Sequence, residues 1–157
     1  MIRHSDIKKQ NISMNKFTDE LKKWQEKRFA EKNIKAEWEI KADRLFGDEL
    51  LLEMLIRNIF ENAFRAIDEG GKISTYVYEN EKNTVFEITD TGCGMEPEEL
   101  EKIKEPFYRV DKSRSRKQGG TGLGVSLCQK IIEKHDGSME YRSKKGVGTT
   151  VTVKIPL

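Results

Sequence analysis

Three polar side chains follow one another at helical spacing between positions 58 and 65. Asn58 and Asn62 are four residues apart, and Arg65 comes three residues later, so a helix would place them on one face. Amide oxygens are among the ligands that Mg²⁺ accepts, and a guanidinium binds phosphate oxygens in a paired geometry. Two interpretations stay open: side chains that hydrogen-bond the neighbouring backbone, or ligands for a metal and the phosphate bound to it.

A carboxylate with two nearby glycines follows a segment rich in β-branched residues. Asp90 precedes Gly92 and Gly94, and glycines let the backbone approach a flat ring and adopt positive φ. A carboxylate at the end of a strand can accept a hydrogen bond from an exocyclic amine such as that of adenine. The alternative is an ordinary Asp-Gly turn.

Glycines also dominate the segment 119–124, which reads Gly-Gly-Thr-Gly-Leu-Gly and directly precedes helical spacing. Free N–H groups at a helix start attract anions, so this segment is either a phosphate cradle or a flexible hinge. It is not a P-loop, since no Lys-Ser/Thr pair follows, and no strand leads directly into it as in a dinucleotide fingerprint. Gly146 and Gly148 before Thr149 favour a hairpin turn, with a buried Thr149 hydroxyl near Asp90 as the other possibility.

The elements that must position these residues are predicted from periodicity. Apolar residues at helical spacing predict helices over 15–32, from Asp48 to the glycine pair at 70–71, over 98–104, and from 123 to about 136. Alternation and β-branched residues predict strands over 36–40, 73–78, 84–89, 138–143 and 149–155. Blocks of strands and helices, with hairpins, indicate one mixed sheet covered by helices on one face.

Composition excludes several classes of protein. The 157 residues carry 29 Lys+Arg against 27 Asp+Glu, a net charge of +2, and no aromatic residues interleave with the cations, so nucleic-acid binding is not expected. No apolar run approaches the roughly 20 residues of a membrane span. Two cysteines and two histidines predict neither a disulfide framework nor a zinc module.

The order of the motifs resembles the ATP-binding catalytic domain of bacterial sensor histidine kinases. Four segments carry the resemblance: Asn58-Ile-Phe-Glu-Asn62-Ala, Asp90-Thr-Gly-Cys-Gly-Met, Glu105-Pro-Phe-Tyr-Arg-Val-Asp111 and Gly120-Thr-Gly-Leu-Gly-Val. It covers residues 12–157, with residues 1–11 interpreted as a linker remnant or tail. The resemblance implies the Bergerat ATP-binding fold, an α+β two-layer α/β sandwich in which about three helices cover one face of a mixed β-sheet.

The resemblance also implies a role for each matching position. Asn62 is expected to bind Mg²⁺, Asn58 and Arg65 to lie on the phosphate side, and Asp90 to accept from the adenine amine. Gly92 and Gly94 are expected to shape the adenine pocket, and residues 105–121 to form a mobile ATP lid. The other implied nucleotide-contacting residues are Phe107, Tyr108, Arg109, Gly120, Thr121, Gly122, Leu123, Gly124 and Thr149. Asn58, Asn62, Arg65 and Arg109 form the expected catalytic set.

The residue at position 58 separates two activities within this superfamily. Its hydrolases carry there a Glu that activates water, whereas the amide of Asn58 has no such role near neutral pH. We therefore expect transfer of the γ-phosphoryl group of ATP to a protein acceptor, with positioning and charge neutralisation supplying most of the rate. The family often has an aromatic residue where this chain has Ala66, so stacking on adenine is expected to be weaker or to come from elsewhere.

The expected acceptor is a histidine on a separate helical hairpin of the parent kinase, which passes the phosphoryl group on to a response regulator. His4 lacks the residues that follow the family's acceptor, and His135 is expected to be a structural residue at a helix end. We expect a cytoplasmic monomer without direct membrane contact, cut from a membrane-anchored or cytoplasmic parent. Two alternatives remain: a serine kinase similar to anti-sigma factors, and an interaction module that binds nucleotide without turnover.

Overall fold

A computed structural model describes residues 7–103 and 123–157, with the side chains of 123–125 outside the description. Its helices are α1 (Met14–Phe29), α2 (Glu49–Ala66), α3 (Pro97–Lys102) and α4 (Leu123–Lys134), with a short 3₁₀ helix over Ala30–Lys32. Its strands are β1 (Gln10–Ser13), β2 (Lys35–Lys41), β3 (Arg44–Gly47), β4 (Lys72–Glu79), β5 (Asn83–Asp90), β6 (Ser138–Lys144) and β7 (Gly148–Pro156).

Five of the described strands form the main sheet, in the order β2-β4-β5-β7-β6. β2 runs parallel to β4, while the other neighbours are antiparallel. The apolar residues of one face of this sheet join those of the helices in a single core, where Phe17 of α1 meets Phe86 of β5 edge to face, with the ring centroids 6.1 Å apart. The α+β architecture with a mixed sheet covered by helices is therefore confirmed.

Helix α2 carries the polar side chains at positions 58–65, so its ends fix where they lie. Asp48 caps its start, as predicted, because its Oδ1 accepts a hydrogen bond from the Leu51 N–H at 3.2 Å. The helix ends at Ala66 and not at the glycine pair, because Ile67 adopts extended backbone angles. The Lys32 ammonium donates to the carbonyl oxygens of Phe64 at 2.6 Å and Ile67 at 3.2 Å, which satisfies acceptors that a helix end leaves open.

The strand pair β1–β3 was not predicted. The two strands are antiparallel, with Ile12 directly opposite Leu45, and both of these side chains are buried. Residues 10 and 11, which the sequence assigned to a tail, therefore belong to a strand. Each strand has four residues, which is too short for a clear alternation of apolar and polar side chains.

His135 is a structural residue, as predicted. Its ring is buried, Nδ1 lies 2.8 Å from the Ile131 carbonyl oxygen, and Nε2 accepts from the Asp48 N–H at 3.0 Å. The proton therefore sits on Nδ1, and the neutral ring joins the end of α4 to the start of α2. Within the two described ranges, none of the helices combines the length and apolar character that crossing a bilayer requires.

Candidate nucleotide site

Asp90 is a buried carboxylate at the end of β5. Only 8% of the residue is exposed, and Thr149 lies directly opposite it on β7. Its Oδ1 accepts hydrogen bonds from the N–H groups of Gly92 at 2.8 Å and Thr149 at 3.3 Å. None of the described residues donates to its Oδ2.

Burial raises the pKa of Asp90 above the ordinary value of 3.8, and the hydrogen bonds from the Gly92 and Thr149 main chain offset only part of this effect. Because the pKa is raised, ionising Asp90 in the folded protein lowers the free energy of unfolding. Buried carboxylates with a perturbed pKa are common in binding sites. Asp90 has this property, and its Oδ2 receives no donor from the described residues.

The glycines after Asp90 allow the loop to lie against two other segments. A Cβ on Gly92 would come within 2.8 Å of the Ala66 Cβ, and the Cys93 N–H donates to the Ala66 carbonyl oxygen at 3.1 Å. Gly94 has a φ of 69°, and a Cβ there would collide with the Lys144 carbonyl oxygen. The loop therefore needs glycine at both positions and is joined to the end of α2.

Thr149 contributes to this region mainly through its main chain. Its N–H is the group that reaches Asp90, while its hydroxyl lies 2.7 Å from Ser143 Oγ. Because the single Ser143 hydroxyl proton goes to the Gly148 carbonyl oxygen at 3.0 Å, the Thr149 hydroxyl is the donor to Ser143. Ser143 Oγ also accepts from the Met95 N–H at 2.8 Å. Nothing in the local sequence pattern indicates this role of Ser143.

The polar side chains of α2 lie on its half-buried face. The Asn58 amide donates to the Met54 carbonyl oxygen at 2.9 Å, which is the backbone contact of the simpler interpretation, and no described residue donates to its Oδ1. The Asn62 Oδ1 accepts from the Arg65 guanidinium at 3.1 Å. Asn62 thus lies one turn before the end of α2 with its oxygen bound to Arg65, while Asn58 lies about one turn further from that end.

The loop and the helix are brought together at Ala66, which is one residue from Arg65 and one helical turn, about 6 Å, from Asn62. The remaining predicted residues cannot be placed. Phe107, Tyr108, Arg109, Gly120, Thr121, Gly122 and the predicted lid over 105–121 lie outside the described residues. Leu123 and Gly124 begin α4, although their side chains lie outside the description.

Among the described residues, the amide oxygens of α2 are the groups that a metal could use here, together with oxygens of the ligand. The described part of the chain contains no group of three or more His, Cys, Asp and Glu side chains that could hold a metal ion. The amide oxygens of Asn58 and Asn62 fit a cation such as Mg²⁺, which keeps waters and substrate phosphates in its coordination shell. The buried Asp90 acceptor likewise fits the amino group of a purine.

Comparison with known proteins agrees with this geometry. Residues 47–157 match the family of histidine kinase-, DNA gyrase B- and HSP90-like ATPases. The chain belongs to this ATPase family. The matched range runs from the cap of α2 to the end of β7, so it contains Asn58, Asn62, Asp90 and Thr149.

Among its relatives, this ATPase domain is similar to the sensor protein SrrB of Staphylococcus aureus strain NCTC 8325 / PS 47. The two are 38% identical over 119 residues, which cover 76% of this chain and 19% of SrrB. SrrB of strain MRSA252 is 40% identical over 105 residues, covering 67% of this chain and 18% of that protein. The chain thus spans about a fifth of the length of the curated relatives it matches, and the predicted resemblance to sensor histidine kinases is confirmed.

Solved structures show the same fold. The catalytic domain of histidine kinase ThkA superimposes with a TM-score of 0.82 at 24% identity, over 95% of this chain and 97% of that one. Full-length ShkA in complex with AMPPNP gives a TM-score of 0.82 at 20% identity, over 96% of this chain and 31% of ShkA. ThkA in complex with the response regulator TrrA gives 0.79 at 23% identity, over 96% of this chain and 42% of that one.

Proposed function

We propose that this domain binds ATP with Mg²⁺ and donates the γ-phosphoryl group to a histidine on a separate helical hairpin of its parent kinase. The observation that carries the proposal is the buried Asp90, whose Oδ1 is held by two main-chain N–H groups while Oδ2 receives no donor from the described residues. An adenine amino group supplies the missing donor. Membership of the ATPase family and the amides of α2 beside the Asp90 loop support the same assignment.

Each described residue then has one part in binding. Asp90 recognises the adenine amine, and Gly92 and Gly94 leave room for the ring. Asn62 offers its amide oxygen to Mg²⁺, which supplies charge neutralisation at the phosphates, while Asn58 and Arg65 contact phosphate oxygens. For Thr149 the structure favours a positioning role, because its N–H holds Asp90. The parts of Phe107, Tyr108, Arg109 and of positions 120–124 follow from the resemblance alone.

The reaction that fits these groups is transfer and not rapid hydrolysis. In the transfer, an acceptor imidazole nitrogen bonds to the γ-phosphorus as the bond to the bridging oxygen breaks, and ADP leaves with that electron pair. Glu61 is the carboxylate nearest to Asn62 along α2, but both of its oxygens accept hydrogen bonds from Arg28, at 2.6 and 3.2 Å. Glu61 is therefore not available as the base that would activate water for hydrolysis. The amide of Asn58 cannot accept a proton in that role either.

The partners follow from the same proposal. The acceptor hairpin belongs to the parent kinase, and a response regulator receives the phosphoryl group from that hairpin. We expect the domain to act in the cytoplasm, where ATP is available, as a monomer and without direct contact to membrane or nucleic acid. Residues 12–157 form the proposed catalytic domain, and the parent is either anchored in the membrane or cytoplasmic.

The test has two stages. Calorimetric titration with ADP, with and without Mg²⁺, measures binding, and binding is expected in the micromolar-to-millimolar range and to be tighter with Mg²⁺. Labelled ATP is then incubated with the chain alone, with the parent's acceptor hairpin, and with a hairpin whose histidine is replaced by glutamine. Label is expected only on the unchanged hairpin and is expected to be lost in acid, because phosphohistidine is acid-labile.

Other results would support the alternatives. Acid-stable label on a serine of a partner protein would favour the serine kinase. Binding of ADP without transfer to any hairpin would favour the interaction module. If ADP does not bind at all, the assignment of the site to Asp90 and Asn62 is wrong.

A further inference from the structure

A chain of charged side chains leads from α1 to the amide of Asn62. Arg28 of α1 makes a paired contact with Glu61 of α2, with Nε 2.6 Å from Oε1 and one terminal nitrogen 3.2 Å from Oε2. The same Oε2 lies 3.8 Å from a terminal nitrogen of Arg65. The other terminal nitrogen of Arg65 donates to Asn62 Oδ1 at 3.1 Å. Glu61 thus lies between two guanidinium groups, one of which holds the proposed metal ligand.

The Arg28–Glu61 contact has the geometry of a fixed ion pair. A two-point contact between guanidinium and carboxylate defines the orientation of both groups. The Arg28 guanidinium also lies over the Phe64 ring, 4.0 Å from its centroid, and donates to Glu31. The two side chains are 34% and 23% exposed, so solvent screens them less than it screens the Lys41–Glu39 pair, whose side chains are 66% and 61% exposed.

The hydrogen bond from Arg65 to Asn62 Oδ1 competes with binding of a metal to the same oxygen. An amide oxygen that accepts a hydrogen bond from a guanidinium is a poorer metal ligand, because two positive charges compete for the same electron density. A metal at Asn62 Oδ1 would therefore release the Arg65 donor. A cation freed beside a metal-bound polyphosphate is well placed to donate to its oxygens, provided that something keeps it there.

We propose that Glu61, anchored by Arg28, is a positioning residue that holds Arg65 beside Asn62, so that Arg65 passes from the amide oxygen to a phosphate oxygen when Mg²⁺-nucleotide binds. This inference rests on the proposed function. It gives a role to Glu61 and Arg28, two residues that contact neither the adenine acceptor nor the metal ligand directly.

The sign of the effect distinguishes this role from simple electrostatics. A carboxylate near a polyphosphate repels it, so its neutralisation by Glu61→Gln would tighten nucleotide binding if charge alone mattered. Positioning predicts the opposite. Without the Glu61 charge, Arg65 loses the carboxylate that lies 3.8 Å from one of its terminal nitrogens, and the phosphate contact becomes less ordered.

The experiment compares Glu61→Gln with Glu53→Gln. The control removes a similar ion pair of the same helix, in which Glu53 Oε1 lies 2.7 Å from an Arg57 nitrogen, away from Arg65. Calorimetry measures Kd for ADP with Mg²⁺, and NMR titration measures binding of adenosine, which has no phosphate. Glu61→Gln is expected to raise Kd for ADP about tenfold, which corresponds to the loss of one hydrogen bond to a charged group. Its Kd for adenosine is expected to stay unchanged. Glu53→Gln is expected to bind ADP as the wild type does.

Arg28 provides the second variant and the rescue. Arg28→Gln is expected to raise Kd for ADP, as Glu61→Gln does. Arg28→Lys keeps the charge without the two-point geometry, so its Kd for ADP is expected to lie between those of Arg28→Gln and the wild type. Tighter or unchanged ADP binding in Glu61→Gln would overturn the proposal, as would an equal loss of ADP and adenosine binding, which indicates a merely structural role. Failure of the wild-type chain to bind ADP would instead refute the proposed function on which the inference rests.

Discussion

Replacing Asp90 by asparagine changes one atom at the centre of the proposed adenine site. In the wild type, Oδ1 accepts from the N–H groups of Gly92 at 2.8 Å and Thr149 at 3.3 Å. The fold favours the amide orientation in which the oxygen of the asparagine keeps both hydrogen bonds. This orientation turns the new NH₂ group toward the ligand. An adenine amine would then meet a donor where it needs an acceptor, so the substitution removes the contact without moving the loop.

The size of the loss follows from the strength of one hydrogen bond to a charged group. Such a bond contributes about 1.5–3 kcal/mol, and each 1.4 kcal/mol changes an equilibrium constant about tenfold. We therefore expect Kd for ADP to rise by about 10- to 150-fold. The preference over GDP is expected to shrink as well, because guanine has a carbonyl oxygen at the position of the adenine amine and an asparagine can donate to it.

Folding stability is expected to change in the opposite direction. Burial raises the pKa of Asp90, so this group favours the folded state below its unfolded-state pKa and loses that contribution as the pH rises through its raised folded-state pKa. At pH 7 the wild-type chain holds a buried charge that Asp90→Asn lacks. The variant should be at least as stable as the wild type at pH 7, and its advantage should disappear in acid.

Calorimetry with ADP and GDP, together with urea unfolding at pH 7 and pH 3, measures both effects. Asp43→Asn is the control, because Asp43 is exposed, and it should change neither quantity. The reasoning is refuted if Asp90→Asn binds ADP within twofold of the wild type. Loss of binding accompanied by unfolding would also contradict it, because the main-chain contacts of Asp90 would then be essential for the loop.

Two further substitutions test how the fold holds the site. Gly94→Ala is expected to destabilise the chain by at least about 1–2 kcal/mol, because Gly94 has a φ of 69° and the new Cβ would also collide with the Lys144 carbonyl; urea unfolding measures it. His135→Leu is expected to lower the free energy of unfolding by about 1–3 kcal/mol, because it leaves the Asp48 N–H without its acceptor. The folded molecules of this variant are expected to bind ADP with the wild-type Kd.

Each of these has a clear contrary result. Gly146 has a φ of 82° with no heavy atom near its Cβ position, so Gly146→Ala should be milder than Gly94→Ala; equal losses would mean that the collision at Lys144 is unimportant. For His135, a glutamine that offers an acceptor to Asp48 should recover part of the stability lost with leucine. Equal stability of the two variants would show that the hydrogen bond contributes little.

The elements that carry strong periodicity were predictable from the sequence. The apolar spacing of α2 predicted which face of the helix is buried, and therefore that Asn58 and Asn62 border the core, while Asp48 predicted where the helix begins. The alternation in β7 and the β-branched residues of β5 predicted two strands, and the structure pairs Asp90 with Thr149 at their ends. The roles of Asn62 in metal binding and of Asp90 in adenine binding stay predictions.

Contacts between distant parts of the chain were not predictable. Arg28 and Glu61 are 33 positions apart, and nothing in either local pattern indicates that the two residues meet. The glycine pair predicts a later end for α2 than the observed one at Ala66, where the Lys32 ammonium, from another segment, binds the carbonyl oxygens of Phe64 and Ile67. Tertiary contacts here override the local signal.

The two halves of the site are held by different means, and this determines how they respond to mutation. Main-chain groups hold the proposed adenine half: the N–H groups of Gly92 and Thr149 fix Asp90, and the Cys93 N–H joins its loop to the Ala66 carbonyl. Substitutions that keep the backbone path therefore leave this half intact, with Asp90 itself as the sensitive side chain.

Side chains hold the proposed phosphate half, through Arg28, Glu61, Arg65 and Asn62. Each of these can be removed without breaking the backbone, and one of them belongs to α1, which carries none of the residues predicted from the sequence to bind nucleotide. Because α1 contributes Arg28, a displacement of α1 would alter the contact of Glu61 and, through Arg65, the oxygen that Asn62 presents. Among the described residues, the Asp90 carboxylate is held by Gly92 and Thr149 and not by a residue of α1, so a change in α1 should affect phosphate affinity more than purine recognition.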